Sequence, residues 1–198
     1  MPEQQLHKPG RFFAVAFVLI LAVIAADQAS KWYVLETMLR TNPENLDFWS
    51  WFTKRAPLAF FEDQQEKYKQ VVFNGWLNFT MVWNKGISFG MFASQNGKMP
   101  VLFICVSLCI SMALFFWLVL ARTTLLFIAL PPIIGGAIAN VCDRVRFGAV
   151  ADFIDLHIGE HHWPAFNIAD ACVVIGAALV VIDAILDKSD NKKDTANA

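Results

Sequence analysis

Residues 135–170 read GGAIANVCDRVRFGAVADFIDLHIGEHHWPAFNIAD. The stretch sets four carboxylates, Asp143, Asp152, Asp155 and Glu160, between two apolar runs, 125–139 and 168–186, and a fifth, Asp170, about one turn into the second. Runs of that kind are candidates for membrane helices. An ionised side chain is costly in or beside hydrocarbon, so acids gathered where spans end are read first as a functional site.

The whole chain agrees with a membrane setting. Of its 198 residues 57% are hydrophobic and only 17% charged, with a mean hydropathy of +0.47, too apolar for an ordinary soluble domain. The net charge of -1 gives no basic field for nucleic acid. Cys105, Cys109, Cys142 and Cys172 lie in or beside apolar runs without paired metal-type spacing; Cys105 and Cys109 share a helix face at i,i+4 and read as buried, inert thiols.

Four spans are expected, over about 12–26, 101–121, 125–139 and 168–186, in a single membrane domain covering 1–198. The first run, preceded by Lys8 and Arg11, has a cleaved secretory signal as its rival reading, but a small-x-small site is not well formed around Ala25-Ala26-Asp27. The 27–99 region is too long for a turn and should be structured. Asn42-Pro43, Pro57 and the charged run Glu62 to Lys69 read as loop or surface helix, and Phe48, Trp49, Trp51 and Phe52 as an interfacial aromatic patch. Leu77, Phe79, Met81 and Trp83 alternate with polar or smaller neighbours, and the run Ile87 to Phe92 follows Asn84-Lys85-Gly86, which predicts a hairpin or small sheet. An open sheet edge is not tolerated in hydrocarbon, so this sheet should lie on the bilayer surface. Residues 140–167 read as a loop and the tail from Asp187 as disordered.

Four spans put both termini on one face, together with Lys8, Arg11, Arg122, Lys188, Lys192 and Lys193. The positive-inside rule makes that face cytoplasmic and sends the sheet and the acid cluster to the outer surface. The expected fold is therefore an α-helical integral membrane protein, four transmembrane helices with a small extracytoplasmic β-sheet.

Asp152 and Asp170 carry the functional reading. Two carboxylates meeting in a partly dry pocket cannot both ionise, so one keeps a proton while the other can act as a base on water. Each also has a bland reading: Asp152 a solvated loop acid, Asp170 with Asn167 a helix-capping pair. Asn140, Asp143 and Arg144 follow the third run; Arg144 could take a carboxylate or carbonyl oxygen, and Asp143 could fix backbone or that arginine. The alternative for them is an interfacial stop sequence. Asp27 and Lys31 form an acid-then-base i,i+4 pair that an exposed helix surface would explain, with a role beside the acid cluster, at the same membrane level, as the alternative. Gly135 and Gly136 read as close helix packing. His157, His161 and His162 with Asp155 and Glu160 complete no three-ligand motif, so no metal is expected. The rival class is a small proton-coupled transporter or channel subunit. That reading would put acids near the midplane and bring internal repeats, and neither is visible.

DQASK at Asp27 to Lys31, NKGISFG at Asn84 to Gly90, GGAIANVCDR at Gly135 to Arg144, VADFID at Val150 to Asp155 and FNIAD at Phe166 to Asp170 together resemble the lipoprotein (type II) signal peptidase family. The resemblance implies an aspartyl peptidase of the bacterial inner membrane. It would cut a prolipoprotein just before a cysteine carrying diacylglycerol, with that substrate and membrane lipid as its partners and no cofactor. By the same resemblance Asp152 and Asp170 match the catalytic dyad and Asn167 the support of the second aspartate. Asn140, Asp143 and Arg144 match pocket residues, Asn84 and Gly86 the substrate-facing turn, and Asp27 and Lys31 the motif ending the first helix. The chain departs from the pattern around Thr41 to Val72, where it is longer than the family's usual spacing. That insertion reads as an interfacial lid or partner surface, with a tolerated surface loop as the alternative.

Overall fold

The computed structural model describes residues 9–41, 45–53, 70–86 and 98–196. Helix α1 (Pro9–Trp32) runs directly into a π-helical stretch, Tyr33–Leu39, and is followed by the short α2 (Phe48–Thr53). Strands β1 (Val71–Val72) and β2 (Leu77–Asn84) precede helices α3 (Lys98–Leu120) and α4 (Thr124–Phe147). Strands β3 (Val150–Ile158) and β4 (His161–His162) lead into α5 (Ile168–Ala196). Four helical stretches are long and apolar enough to cross a membrane: Phe13–Leu39, Pro100–Leu120, Thr124–Phe147 and Ile168–Lys188.

Helix α4 is the hub, packed against α1, α3 and α5. Its neighbours come close because it offers them no side chain at two successive positions. A Cβ on Gly135 would stand 3.0 Å from the Ile20 carbonyl oxygen, and one on Gly136 would stand 2.5 Å from that of Ala169. These are the close backbone approaches that the paired glycines suggested. Thr123 caps α4 by accepting from the Leu126 N–H, and its hydroxyl donates to Asp183 of α5 at 2.6 Å. The helix ends at Gly148, whose φ of +78° is the left-handed conformation glycine adopts without strain, with its N–H donating to the Arg144 carbonyl. Ala16, Ile20, Leu118, Leu126, Leu130 and Ile134 form one apolar cluster among the helices. Outward-facing Val101, Phe116, Leu120, Val174 and Ile185 leave α3 and α5 apolar on their free faces, as lipid contact requires.

The sheet is antiparallel in the order β1-β2-β3-β4. The alternation over 77–84 does mark a strand, but its described partners are β1 and β3; the run Ile87 to Phe92 lies outside the described residues. Asn84 pairs with Val150 and Val82 with Asp152, so the β2 end carrying Asn84 reaches the end of α4. A second apolar cluster, with Val34, Leu35, Leu39, Trp51, Met81, Phe147, Ala151 and Phe153, binds the sheet and α2 to the ends of α1 and α4.

Four boundaries differ from expectation. The first span continues past Ala26 to Leu39, and the third past Ala139 to Phe147, because the polar side chains there are buried and paired inside the bundle. Residues 140–167 are therefore not a loop: they hold two turns of α4 and the β3–β4 hairpin. The tail continues α5 to Ala196, since no glycine or proline after Gly176 interrupts it. Of the aromatic patch, Trp51 is buried while Trp49 stays exposed. The loop readings at Asn42-Pro43, Pro57 and Glu62 to Lys69 lie outside the described residues.

Gly136→Ala should push α4 off α5 next to Asp170, since the new methyl would meet backbone that cannot yield locally. Thermal unfolding in detergent should show a loss of about 1–3 kcal/mol.

Candidate active site

Backbone pairing brings the two aspartates to one place. The N–H groups of Phe153 and Ile154 donate to the Phe166 carbonyl at 3.1 and 2.9 Å, and the Phe166 N–H returns to Ile154 O at 3.1 Å. This bridge fixes β3, with Asp152, beside the start of α5, with Asp170.

Asn167 joins the two acids. Its Oδ1 accepts the Asp170 N–H at 2.9 Å while the Asp170 carboxylate accepts the Asn167 N–H at 3.2 Å, a reciprocal cap of α5. The same side chain donates through Nδ2 to Asp152 Oδ1 at 2.7 Å. The capping reading of Asn167 and Asp170 is thus correct, and the cap is also the link to Asp152. Asn140 donates to Asp170 Oδ1 at 2.8 Å, and Asn84 donates to Asp152 Oδ2 at 3.0 Å. Asn84 Oδ1 accepts the Gly86 N–H, and a side chain at Gly86 would collide with the Phe103 ring of α3.

Burial and the neighbouring Asp170 charge together push the Asp152 carboxyl up to about 7. The hydrogen bond from Asn84, the Lys31 charge and the hydrogen bond from Asn167 pull the other way.

Beneath the pair lies a buried ion triad. Lys31 Nζ sits 2.7 Å from Asp27 Oδ2 and 2.6 Å from Asp143 Oδ2, and all three side chains have 0% exposure. The exposed-pair reading of Asp27 and Lys31 is corrected, since α4 and α5 close over them, and the alternative of a place beside the acid cluster agrees with what is seen. Lys31 also reaches Asn140 Oδ1 at 3.4 Å. Asp27 Oδ1 accepts the Ala169 N–H at 3.0 Å, a donor that the first turn of α5 cannot satisfy internally. Asp143 Oδ2 accepts the Ala151 N–H at 3.2 Å. Asp143 does fix backbone, but its cation is Lys31. Arg144 instead donates to Asn140 O at 3.4 Å in its own helix and stands 5.5 Å over the Phe103 ring, and its buried Nε meets no acceptor among the described residues.

The histidines lie farther along the sheet. His157 and His162 are paired residues of the β3–β4 hairpin with their rings stacked at 4.9 Å, so this segment is strand, not loop. His162 Nδ1 is 2.8 Å from Asp155, and Asn78 donates to the same carboxylate at 3.0 Å. Burial raises the Asp155 carboxyl, yet these bonds outweigh it and hold it below its ordinary range. Trp76, Leu156 and Trp163 line a groove of about 490 Å³ with them. Among the described residues no three His, Cys, Asp or Glu side chains are arranged to hold a metal ion.

The family model described as Signal peptidase (SPase) II matches residues 19–186, a range that spans the triad and both aspartates. The chain belongs to the signal peptidase II family. The lipoprotein signal peptidase of Anaplasma marginale (strain Florida) is 36% identical over 162 residues, covering 82% of this chain and 79% of that protein. That of Methylorubrum extorquens (strain PA1) is 35% identical over 175 residues, covering 87% and 86%. A solved bacterial membrane enzyme shares the fold with a TM-score of 0.66 at 24% identity, over 89% of this chain and 91% of that one.

In this signal peptidase II chain, reading the sequence passed over Gln28 and Arg146. Gln28 donates to Asp143 Oδ1 at 2.9 Å and to Asp27 Oδ2 at 3.2 Å, and Arg146 donates to Gln28 Oε1 at 2.7 Å. Gln28 lies inside DQASK, where its place next to Asp27 was the available signal; Arg146 belongs to no motif.

Lys31→Met should leave two buried carboxylates without their cation. The expected loss is about 3–5 kcal/mol, read as a fall in thermal unfolding temperature at neutral pH.

Proposed function

We propose that this chain is an aspartyl endopeptidase that removes the signal peptide of diacylglyceryl-modified prolipoproteins, cutting on the N-terminal side of the lipidated cysteine. The observation that carries the reading is the joining of Asp152 and Asp170 through one asparagine, with the Asp152 carboxyl raised to about 7. Membership of the signal peptidase II family, and relatives named lipoprotein signal peptidase, support the substrate class.

The dyad holds one proton, kept at Asp152, whose ionisation burial and the second charge oppose. The ionised partner takes a proton from water as its oxygen bonds to the scissile carbonyl carbon, while the protonated carboxyl gives its proton to the carbonyl oxygen. The resulting gem-diol collapses as the amide nitrogen takes a proton from one carboxyl of the dyad, a gem-diol hydroxyl returns its proton to the other, and the C–N bond breaks. One acid and a new amine leave, and the pair again holds a single proton. Asn84, Asn140 and Asn167 keep the carboxyl planes in place through these transfers. The Arg144 guanidinium, whose Nε–H meets no acceptor among the described residues, would polarise a substrate carbonyl. No metal or organic group takes part in this scheme.

The acid pair belongs to the end of the bundle opposite Arg122 and Lys188, because it follows the C-terminal end of α4 and the first turn of α5. With the basic end cytoplasmic, the pair and the sheet face the periplasmic side of the inner membrane, with both termini inside. A substrate held by its own acyl chains and signal helix presents its cleavage site at that level.

Purified protein acting on a diacylated prolipoprotein should lose turnover by three orders of magnitude or more on Asp152→Asn or Asp170→Asn, with both variants still folded. Retained turnover in either rejects the dyad. In the wild type, kcat should fall as pH rises through about 7, because the shared proton is lost there and the acid role goes with it. A chelator should leave the rate unchanged; inhibition reversed by zinc would move the chemistry to the histidines.

A further inference from the structure

We infer that Arg146 is a positioning residue through which the inserted segment carrying α2 sets the alignment of the acid pair. The inference rests on Asp152 and Asp170 being the reacting acids.

Arg146 lies in the last turn of α4, and its guanidinium is packed among three rings. The centroid distances are 4.2 Å to Trp51, 4.3 Å to Phe147 and 4.9 Å to Phe52. Two of those rings belong to α2, which lies within the insertion. One guanidinium nitrogen donates to the Trp51 carbonyl at 2.7 Å, and the other to Gln28 Oε1 at 2.7 Å. Planar, aromatic-stacked and two-handed contacts of this kind suit arginine and no other cation.

The consequence for the acids follows from the chemistry of an amide. An arginine can only donate, so it compels Gln28 to turn its oxygen toward Arg146 and its NH2 toward Asp27 and Asp143. The two carboxylates and the Ala139 carbonyl call for the same orientation, so without the arginine the amide would keep its NH2 toward them but lose the donor to its oxygen, and with it the tie that holds Gln28 to α2. Those same carboxylates hold the peptide N–H groups immediately before each dyad aspartate. Asp143 holds that of Ala151, preceding Asp152, and Asp27 holds that of Ala169, preceding Asp170. One side chain thus stands at the root of two short branches, each ending on the backbone that carries a reacting acid.

The inserted segment is anchored firmly enough to take part. Leu46 donates its N–H to Glu36 at 3.0 Å and accepts the Trp32 indole N–H at 2.8 Å, which ties it to the end of α1 at two points. Asp47 caps α2 through the N–H groups of Trp49 and Ser50, and Trp51 is only 4% exposed. A tolerated surface loop would have no reason to bury its one inward tryptophan on an arginine of the site's supporting network.

The test uses the full-length protein in detergent cleaving a diacylated prolipoprotein, with kcat, KM, the pH profile and thermal unfolding measured together. Arg146→Gln should lower kcat by about ten- to a hundredfold with KM changed less than about twofold, the scale of a small misalignment of reacting groups. Its fall in kcat should move to lower pH, because a loosened Asp152 is more hydrated. Arg146→Lys, which can still donate to Gln28, should recover part of kcat. Trp51→Leu, which leaves the cation in place, should also lower kcat, and the double variant should lose less than the product of the single losses. Wild-type kcat and pH profile in folded Arg146→Gln overturn the inference, as does a loss that only follows the folded fraction. Should Arg146→Gln not fold, an unchanged kcat in Trp51→Leu overturns it equally. Activity in Asp152→Asn run alongside identifies failure of the dyad reading itself.

Discussion

A lysine ammonium with no access to solvent, gripped by two carboxylates, is the constraint on which this structure depends. Lys31 and Asp27 come from α1 and Asp143 from α4, and Asp27 reaches on to the first turn of α5. Three helices are therefore registered against one another by charge, at a depth where a single unpaired ion costs several kcal/mol. Replacing the three by apolar side chains could match the stability. It could not supply the two carboxylate oxygens that hold the Ala151 and Ala169 N–H groups. The triad is better understood as a device for placement than as a source of stability.

What is placed are two pieces of backbone of different kinds. Asp152 stands on a strand, Asp170 in the first turn of a helix, and the chain must fold back on itself for them to meet. The hydrogen-bonded pairing of Phe153 and Ile154 with Phe166 makes that return, and Asn167 then serves as helix cap and as bridge between the acids with one amide. An asparagine suits both tasks because its oxygen and its NH2 point in divergent directions from one planar group. A serine or aspartate would cap the helix but could not donate two hydrogens toward the sheet.

Much of this was legible in the residues. The apolar runs announce the spans, the alternation over Leu77 to Asn84 announces a strand, and Gly135-Gly136 announces close helix contact. The acids of VADFID and FNIAD mark where the candidate site gathers. What escaped reading did so for physical reasons. An Asp-x-x-x-Lys pair is written the same way on a wet surface as at a three-helix junction, and only the helices closing over it tell the two apart. The ends of α1 and α4 were placed too early because polar residues that look like the membrane edge are satisfied inside the bundle. Arg146 carries no local signal, since its role comes from an inserted helix about a hundred residues earlier in the chain.

The claim that two carboxyls share one hydrogen ion is tested most directly by watching that proton. Infrared difference spectra of the protein across pH should contain a protonated-carboxyl band that is absent from Asp152→Asn and disappears with a midpoint near 7. In Asp170→Asn the midpoint should move down, because the charge that opposes ionisation of Asp152 has been removed. An Asp152 band that vanishes in the ordinary carboxylate range and does not respond to Asp170→Asn would contradict the account.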